Sequence, residues 1–535
     1  MGTMDPWSDR ERSGAGLVAS RRSIPRAACR RAGTLAAAGV LAGVVPLLTP
    51  IDAMAQAWAT EVGVGSQLEL TSNAALGEAD GRGDTILSVR PHIRLFREGG
   101  QFKLSGSASL DGIVYLNHTQ SDRLQPQADL TASLKVVPRL LFLDADLRAF
   151  QTNVDPFGAR QEAGSTSENS VTTVVARVTP RIEGTAGEHL RYLVRSDNAW
   201  LNEGGATASV VGSTSEGYFG EHSAFIERDP APGGWRLEAQ RSDTRYRNST
   251  LLPLVIDTAR ATVLYSPGAD IRLGVHTGYE RTSFDENGVI YGAEVKWEPS
   301  PRTVLSAFGE RRFFGSSWRL AFDHRTPAFA WNILSSRTLE TSAQTQVDLP
   351  PTNNVAALLD GMFTTRFPDP VERARAVQDF ITSRGLPTST LQPIALRQQQ
   401  LSILNLNLAT VALIGVRNTV SLSGYHSRRQ DALDASVIPS GGSPTNNTQV
   451  GASVALTHQL TPSHNLTASA DWSRITAAAE FGGERTTQAG VRLQVNIRPA
   501  PRTTLAVGAR YRVLDSNSSV NGNEEAVFVG LDHRF

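Results

Sequence analysis

From about residue 60 onward, apolar and polar positions alternate with a period of two. In QADLTASLKVV (127–137), Ala128, Leu130, Ala132, Leu134 and Val136 share one parity, while Asp129, Thr131, Ser133 and Lys135 share the other. FKLSGSASL (102–110) sets Lys103 and its serines against Phe102, Leu104 and Leu110. The same rhythm places Asp144, Asp146 and Arg148 together. It does so again for Arg272 and Glu280, for Glu294 and Lys296, and for Arg492, Arg510 and Arg512. Successive strand side chains point to opposite faces, so each segment predicts a β-strand with one apolar and one polar face.

The segments run to ten or more residues, longer than ordinary globular strands. They are punctuated by tight Pro- or Gly-bearing turns such as EGG (98–100), VPR (137–139), SPG (266–268), PSP (299–301) and PAP (499–501). Longer polar stretches separate these hairpins. Short turns on one side, long loops on the other and ~10-residue alternating strands describe a transmembrane β-barrel. Ten tight turns imply twenty strands, and one strand at each end makes about 22, within a range of 18–24. The predicted fold is therefore all-β: an antiparallel up-and-down transmembrane barrel, with the first strand near 60–71 and the last near 524–535. A soluble sandwich or β-helix would explain the alternation but not the strand length or the loop asymmetry. Nor would it explain Tyr265 and Trp297, each two residues before a turn proline, where a girdle of interfacial rings belongs.

One segment breaks the rhythm, residues 345–400. Within it DPVERARAVQDFITSRGLP (369–387) reads as a helix, with Asp369 as N-cap, Pro370 in the first turn and Glu372 completing a D-x-x-E box. Gly385 and Pro387 stop it. Val371, Ala374, Val377 and Ile381 form its apolar stripe. By the strand count the insertion leaves from the long-loop side. Two placements follow: a lid over the mouth, or a segment folded inward that narrows the lumen.

The first 57 residues differ from the rest. Arg21, Arg22, Arg26, Arg30 and Arg31 precede the apolar run AGTLAAAGVLAGVVPLL (32–48), and Ala-x-Ala sites follow at 53–57. This is the layout of a secretory signal peptide over 1–57, leaving 58–535 as a bacterial outer-membrane barrel. Cys29, the only cysteine, falls inside that signal, so disulfides play no part in the remainder. The whole chain balances 52 basic against 52 acidic residues, with lysine only at 103, 135 and 296. No basic patch or Cys/His cluster points to nucleic acid, a metal or a cofactor.

Candidate chemistry is sparse. His92, His118, His276, His324, His426 and His464 fall in no spacing that demands catalysis, since triads are defined by geometry rather than sequence position. No enzymatic role is expected. The polar parity is expected to line the lumen, through Lys103, Asp129, Lys135, Asp144, Asp146, Arg148, Arg272, Glu280, Glu294, Lys296, Arg492, Arg510 and Arg512. With acids and bases interspersed, such a wall favours neither anions nor cations.

The runs RLAFDHRTPAFAWNILSSRTLETS (319–342), DPVERARAVQDFITSRGLPTS (369–389) and LNLATVALIGVRNTVSLSGYHSRRQ (406–430) resemble the outer-membrane β-barrel proteins associated with PEP-CTERM/exosortase systems. The resemblance extends over about 60–535. It implies an outer-membrane location and a part in exporting or anchoring exopolysaccharide, with polysaccharide and membrane lipid as partners. It implies no catalytic residue. A general diffusion porin and a non-conducting structural barrel are the rival readings. A TonB-dependent transporter would match 22 strands, but strands starting near residue 60 leave no room for an N-terminal plug.

EEAVFVGLDHRF (524–535) ends on an aromatic behind alternating apolar residues, which resembles the signal read by the barrel-assembly machinery. It is expected to pair with the first strand near 61–71. Deleting Phe535 should therefore lower the amount of folded protein in the membrane, as read by immunoblot of heat-modifiable bands. Wild-type levels of the deleted form would contradict this role.

Overall fold

In the computed structural model, the described residues are 58–76, 81–160, 169–204, 216–247, 253–326, 328–348, 354–364, 366–384, 386, 391–394, 401–432, 446–479, 482–518 and 521–535. They form one closed antiparallel barrel of 22 strands. The first eight strands are β1 (Ala59–Thr71), β2 (Asp84–Glu98), β3 (Phe102–Tyr115), β4 (Arg123–Val137), β5 (Leu141–Asn153), β6 (Ser170–Ala186), β7 (Leu190–Gly204) and β8 (Glu216–Arg228). Next come β9 (Gly233–Tyr246), β10 (Leu254–Gly268), β11 (Ile271–Thr282), β12 (Gly288–Ser300), β13 (Thr303–Arg312), β14 (Gly315–Arg325) and β15 (Phe329–Thr341). The last are β16 (Leu401–Ile414), β17 (Asn418–Asp431), β18 (Asn447–Thr461), β19 (His464–Ala477), β20 (Arg485–Ala500), β21 (Thr503–Ser516) and β22 (Gly522–Arg534).

Each strand pairs with its sequence neighbours, and β1 closes on β22 with Gly63–Thr71 opposite Ala526–Arg534. Ten connections, from β2–β3 to β20–β21, are tight and lie on one rim; both described ends of the sheet fall on that side. The opposite rim carries the longer connections, except that only Phe313 and Phe314 join β13 to β14. The outward parity is apolar: Val62, Val64, Leu68, Leu70, Val263, Val275, Leu493, Val527, Val529 and Leu531 are exposed although hydrophobic. Aromatic rings stand on the outer face near both rims, with Trp58, Tyr265 and Trp297 by the tight turns and Trp200, Tyr279 and Tyr511 toward the long loops. An apolar belt flanked by two such girdles is the exterior of a transmembrane barrel.

The seam between the first and last strands is locked from inside. Arg510 on β21 reaches Glu524 on β22 and Glu69 on β1, both at 2.7 Å, and Thr71 donates to Glu524 at 2.9 Å. All are buried, so the charges are matched where hydration is lost. Close by, the Phe528 ring reaches over Gly508, where a Cβ would stand 2.5 Å from its Cζ, and the Arg492 guanidinium carbon sits 4.2 Å from the centre of the same ring.

Three helices lie between β15 and β16 among the described residues: α1 (Ser342–Asp348), α2 (Asn354–Phe363) and α3 (Pro370–Arg384). Sequence reading anticipates α3 alone.

Candidate functional site: the lumen and its internal segment

The start of α3 follows from local chemistry. The Asp369 carboxylate accepts hydrogen bonds from the backbone N–H of Val371 (2.8 Å) and Glu372 (3.1 Å), capping donors that have no partner inside the helix. Glu372 lies in the first turn and Arg384 in the last, matching the helix dipole. Val377 and Ile381 pack on Val355 and Leu359 of α2, with the Phe363 and Phe380 rings 5.4 Å apart, edge to face. Arg373 to Asp360 at 2.7 Å ties the two helices at the edge of that contact. The pair thus has its own small apolar core.

That core is suspended from inward side chains of the wall. At the N-terminus of α3, Asp369 is ion-paired with Lys103 of β3. At its C-terminal end, Arg94 of β2 donates to Thr382 at 3.2 Å, while Asn465 of β19 (2.9 Å) and Arg498 of β20 donate to the Ser383 carbonyl. Arg384 reaches Gln459 of β18 and the Val416 carbonyl, each at 3.1 Å, and Arg325 of β14 donates to the Gly361 carbonyl at 2.7 Å. These wall residues all lie at the tight-turn ends of their strands. Helices α2 and α3 therefore sit across the lumen at the tight-turn rim.

The flanking pieces hold to the other end. α1 buries Ala343 and Val347 among Phe150, Val175, Ala199, Leu201 and Phe219, inward residues near the long-loop ends of β5 to β8. Arg177 donates to the Val347 carbonyl at 3.0 Å, and the Ala343 N–H donates to the Tyr246 hydroxyl at 3.2 Å. On the return path the Ile394 N–H donates to Gln449 at 2.8 Å, and Arg160 donates to the Gln392 carbonyl at 2.9 Å. The described pieces of the segment between β15 and β16 are thus bonded to inward wall residues at both ends of the barrel, α1 and 391–394 near the long loops and α2 and α3 near the tight turns. Of the two placements left open by sequence, the geometry is the inward one.

The thirteen candidate lumen residues all stand on the inward parity. The structure brings most of them into ion pairs or hydrogen bonds. Arg272 meets Glu227 at 2.5 Å, Glu294 meets Arg236 at 2.6 Å, and Glu280 is paired with Arg312. Arg260 and Glu310 at 3.0 Å extend this into a ladder over β8 to β13. Half-way round the ring, Arg510 and Arg512 belong to the seam with Glu524. On β4 and β5, Asp129 is opposite Arg148, Thr131 donates to Asp146 at 2.9 Å, and Ser133 donates to Asp144 at 2.7 Å. Arg492 donates to Gln494 at 3.1 Å. Lys296 pairs with Glu298 near the tight turns, and Lys135, opposite Phe142, is exposed at the same rim. Lys103 is ion-paired with Asp369 of the internal segment. Arg148 touches it more weakly, at 3.5 Å from the Val347 carbonyl.

Sequence reasoning missed Arg94, Arg325 and Asn465 among the wall residues that carry the helices; Arg498 stands on the polar parity of 491–498, with no local mark of its helix contact. Sequence reasoning also missed the apolar cluster around Phe150. That cluster had a signal: Phe150, Val175, Leu201 and Phe219 are apolar residues on the parity that is otherwise polar.

Between α2–α3 and the wall of β2 to β5 there remains a gap of about 340 Å³. Arg94, Ser107, Asp129, Arg148, Asp360 and Gln378 line it. It offers hydrogen-bond donors and acceptors together, with no excess of one charge. Among the described residues, no group of three or more His, Cys, Asp or Glu side chains could hold a metal ion.

No family model matches the chain, and no curated protein does. Solved structures similar to it include the siderophore receptor PirA from Acinetobacter baumannii, at 7% identity and a TM-score of 0.44, covering 90% of this chain and 81% of that one. The FrpB iron transporter from Neisseria meningitidis matches at 10% identity and 0.43, covering 89% and 81%. The outer membrane protein opdK from Pseudomonas aeruginosa matches at 9% identity and 0.35, covering 89% and 99%. Likeness at this level says nothing of substrate.

The Asp369 contact sets a pH dependence. Partial burial works to raise its carboxyl, but the Lys103 ammonium, the Glu372 N–H, Glu98 and the Val371 N–H outweigh that and hold it at about 2, below the ordinary 3.8. A depressed carboxyl stabilises the docked helix fully above about pH 4 and loses that contribution as pH falls toward 2. Hydrogen exchange of the α3 amides should therefore accelerate, relative to unstructured peptide rates, between pH 4 and 2. Asp369→Asn should be less protected at neutral pH and lack that step; a variant retaining the wild-type profile would contradict the pairing.

Proposed function

We propose that this chain is a bacterial outer-membrane β-barrel, exported by a signal peptide over 1–57, that serves as a non-catalytic, gated conduit for a polar polymer. The observation that carries the reading is the internal segment. Its helices are bonded to inward side chains of β2, β3, β14, β18, β19 and β20 at one rim, so they span the passage rather than decorate its edge. Helices bonded across the lumen in this way favour a plugged conduit over a freely open diffusion porin. The tight-turn rim is then periplasmic, and the segment is a plug inserted between β15 and β16.

The wall supports a polar, uncharged cargo. Carboxylates and guanidiniums are matched along the β8–β13 ladder and at the seam, so the surface gives hydrogen bonds without a strong field of either sign. Exopolysaccharide, which the family resemblance implies, has that chemistry. Assembly through the strand that ends at Phe535 and contact with membrane lipid complete the partners proposed.

Single-channel recording in planar bilayers tests the gate. The intact barrel is expected to be silent or nearly so, and a variant lacking 350–395 should conduct in large steps. Equal currents from both would overturn the plug. Silence in both would favour a structural barrel over a conduit. Loss of secreted polysaccharide on gene deletion, with small-solute uptake unchanged, separates the polymer cargo from general permeability.

A further inference from the structure

On the outer face of β9 to β14 the apolar belt is hollowed into a groove of about 1110 Å³. Its floor is made of small residues, Ala261, Ala293 and Gly309, and its walls include Trp235, Tyr291 and Trp318. A Cβ added at Gly309 would meet nothing within 4 Å, so the hollow is open at its centre. Two cross-strand rows run along it. One passes in register from Trp235 through Val275 and Gly309 to Trp318 and then Arg337. The adjacent row runs from Leu237 through Ala261 and Tyr291 to Arg311.

The rows climb across the belt. Trp235 is the third residue of β9, next to a tight turn, whereas Arg337 is fifth from the end of β15 and Arg311 is next to last in β13, toward the long-loop rim. The first row starts on the Trp235 ring and the second on Leu237, both toward the tight turns, and each finishes on an arginine near the other rim. The two guanidiniums converge. A Cβ built on Gly315, which holds a φ of +105°, would lie 3.6 Å from Arg337 Nη1 and 3.9 Å from Arg311 Nη1. Arg337 stacks over the Trp318 ring at 5.9 Å and donates to the Ser316 carbonyl. Neither arginine forms an ion pair with a carboxylate among the described residues, in contrast to the matched charges of the inner wall.

Two unmatched guanidiniums at the head of a hydrocarbon groove suit one kind of occupant, an amphiphile with an anionic head. Guanidinium forks bind phosphate oxygens in pairs, and basic pockets beside apolar spans take lipid headgroups. We propose that this groove binds a phosphorylated lipid, with its phosphate between Arg311 and Arg337 and an acyl chain lying along the Ala261–Ala293–Gly309 floor. The site rests on the transmembrane reading of the barrel and on the long-loop rim facing the outer leaflet.

The test uses the full barrel, purified in a non-ionic detergent and titrated with lipid A, with inorganic phosphate as a head-only competitor. Native mass spectrometry reads the adduct. One lipid A per barrel is expected, weakened about tenfold or more in the Arg311→Ala/Arg337→Ala variant, since each charge-assisted contact is worth well over a factor of ten. Gly309→Trp should weaken it similarly by filling the floor, with the heat-modifiable folded band unchanged. Equal retention by the double variant overturns the site, as does displacement of lipid A by equimolar phosphate or a dimer mass in place of the adduct. Fractionation on a density gradient keeps the two readings apart. Arginine-dependent binding by a barrel found outside the outer membrane sinks the location alone. An outer-membrane barrel indifferent to the arginines sinks the lipid site alone.

Discussion

In hydrocarbon an unpaired strand edge costs several kcal/mol for each backbone group, so β1 and β22 have to meet. The rest of the molecule follows from that closure. Meeting requires the nine-residue register from Gly63 to Thr71 against Ala526 to Arg534. Period two then fixes which side chains face lipid and which face the lumen, because a one-residue slip would turn every side chain over. The buried Glu69–Arg510–Glu524 cluster sits at this seam and spans three strands. It secures the one junction between strands that are not neighbours in sequence.

Closure with 22 strands has a cost on the inside. A ring of this size encloses a lumen wide enough to need filling if it is not to stay open. The chain fills it with its own segment between β15 and β16. Those helices carry a small apolar core on one side and backbone carbonyls or charged ends on the other, which suits a polar-walled space. Wall arginines end on helix carbonyls at Val347, Gly361 and Ser383, so groups left over by short helices are satisfied by the barrel. The contacts are individually modest and mostly polar.

Alternation, turn residues and strand length were enough to read the class, the strand number and the closing pair, because each of these is a local pattern repeated many times. The cap of α3 was legible for the same reason: Asp369, Pro370 and Glu372 are neighbours. The destination of that helix was not. Lys103 and Asp369 are 266 residues apart, and Asn465 and Ser383 are 82 apart, with nothing local marking them as partners. α1 and α2 escaped because they are short, and α2 carries Gly361 in its last turn. Phe150, Val175, Leu201 and Phe219 were the overlooked clue. Apolar residues on a water-facing parity say that something else covers them.

The claim that the internal segment closes the barrel is tested most directly by tethering it. Lys103→Cys with Asp369→Cys, where wall and helix cap meet, removes the ion pair and cap that hold the helix; the two thiols can be joined by a short bis-maleimide carrying a reducible disulfide, and the barrel recorded in a bilayer at neutral pH. The account predicts that currents stay absent while the link is intact and appear when it is cleaved. Currents of the same size in both states would show that the helix does not occupy the conducting path.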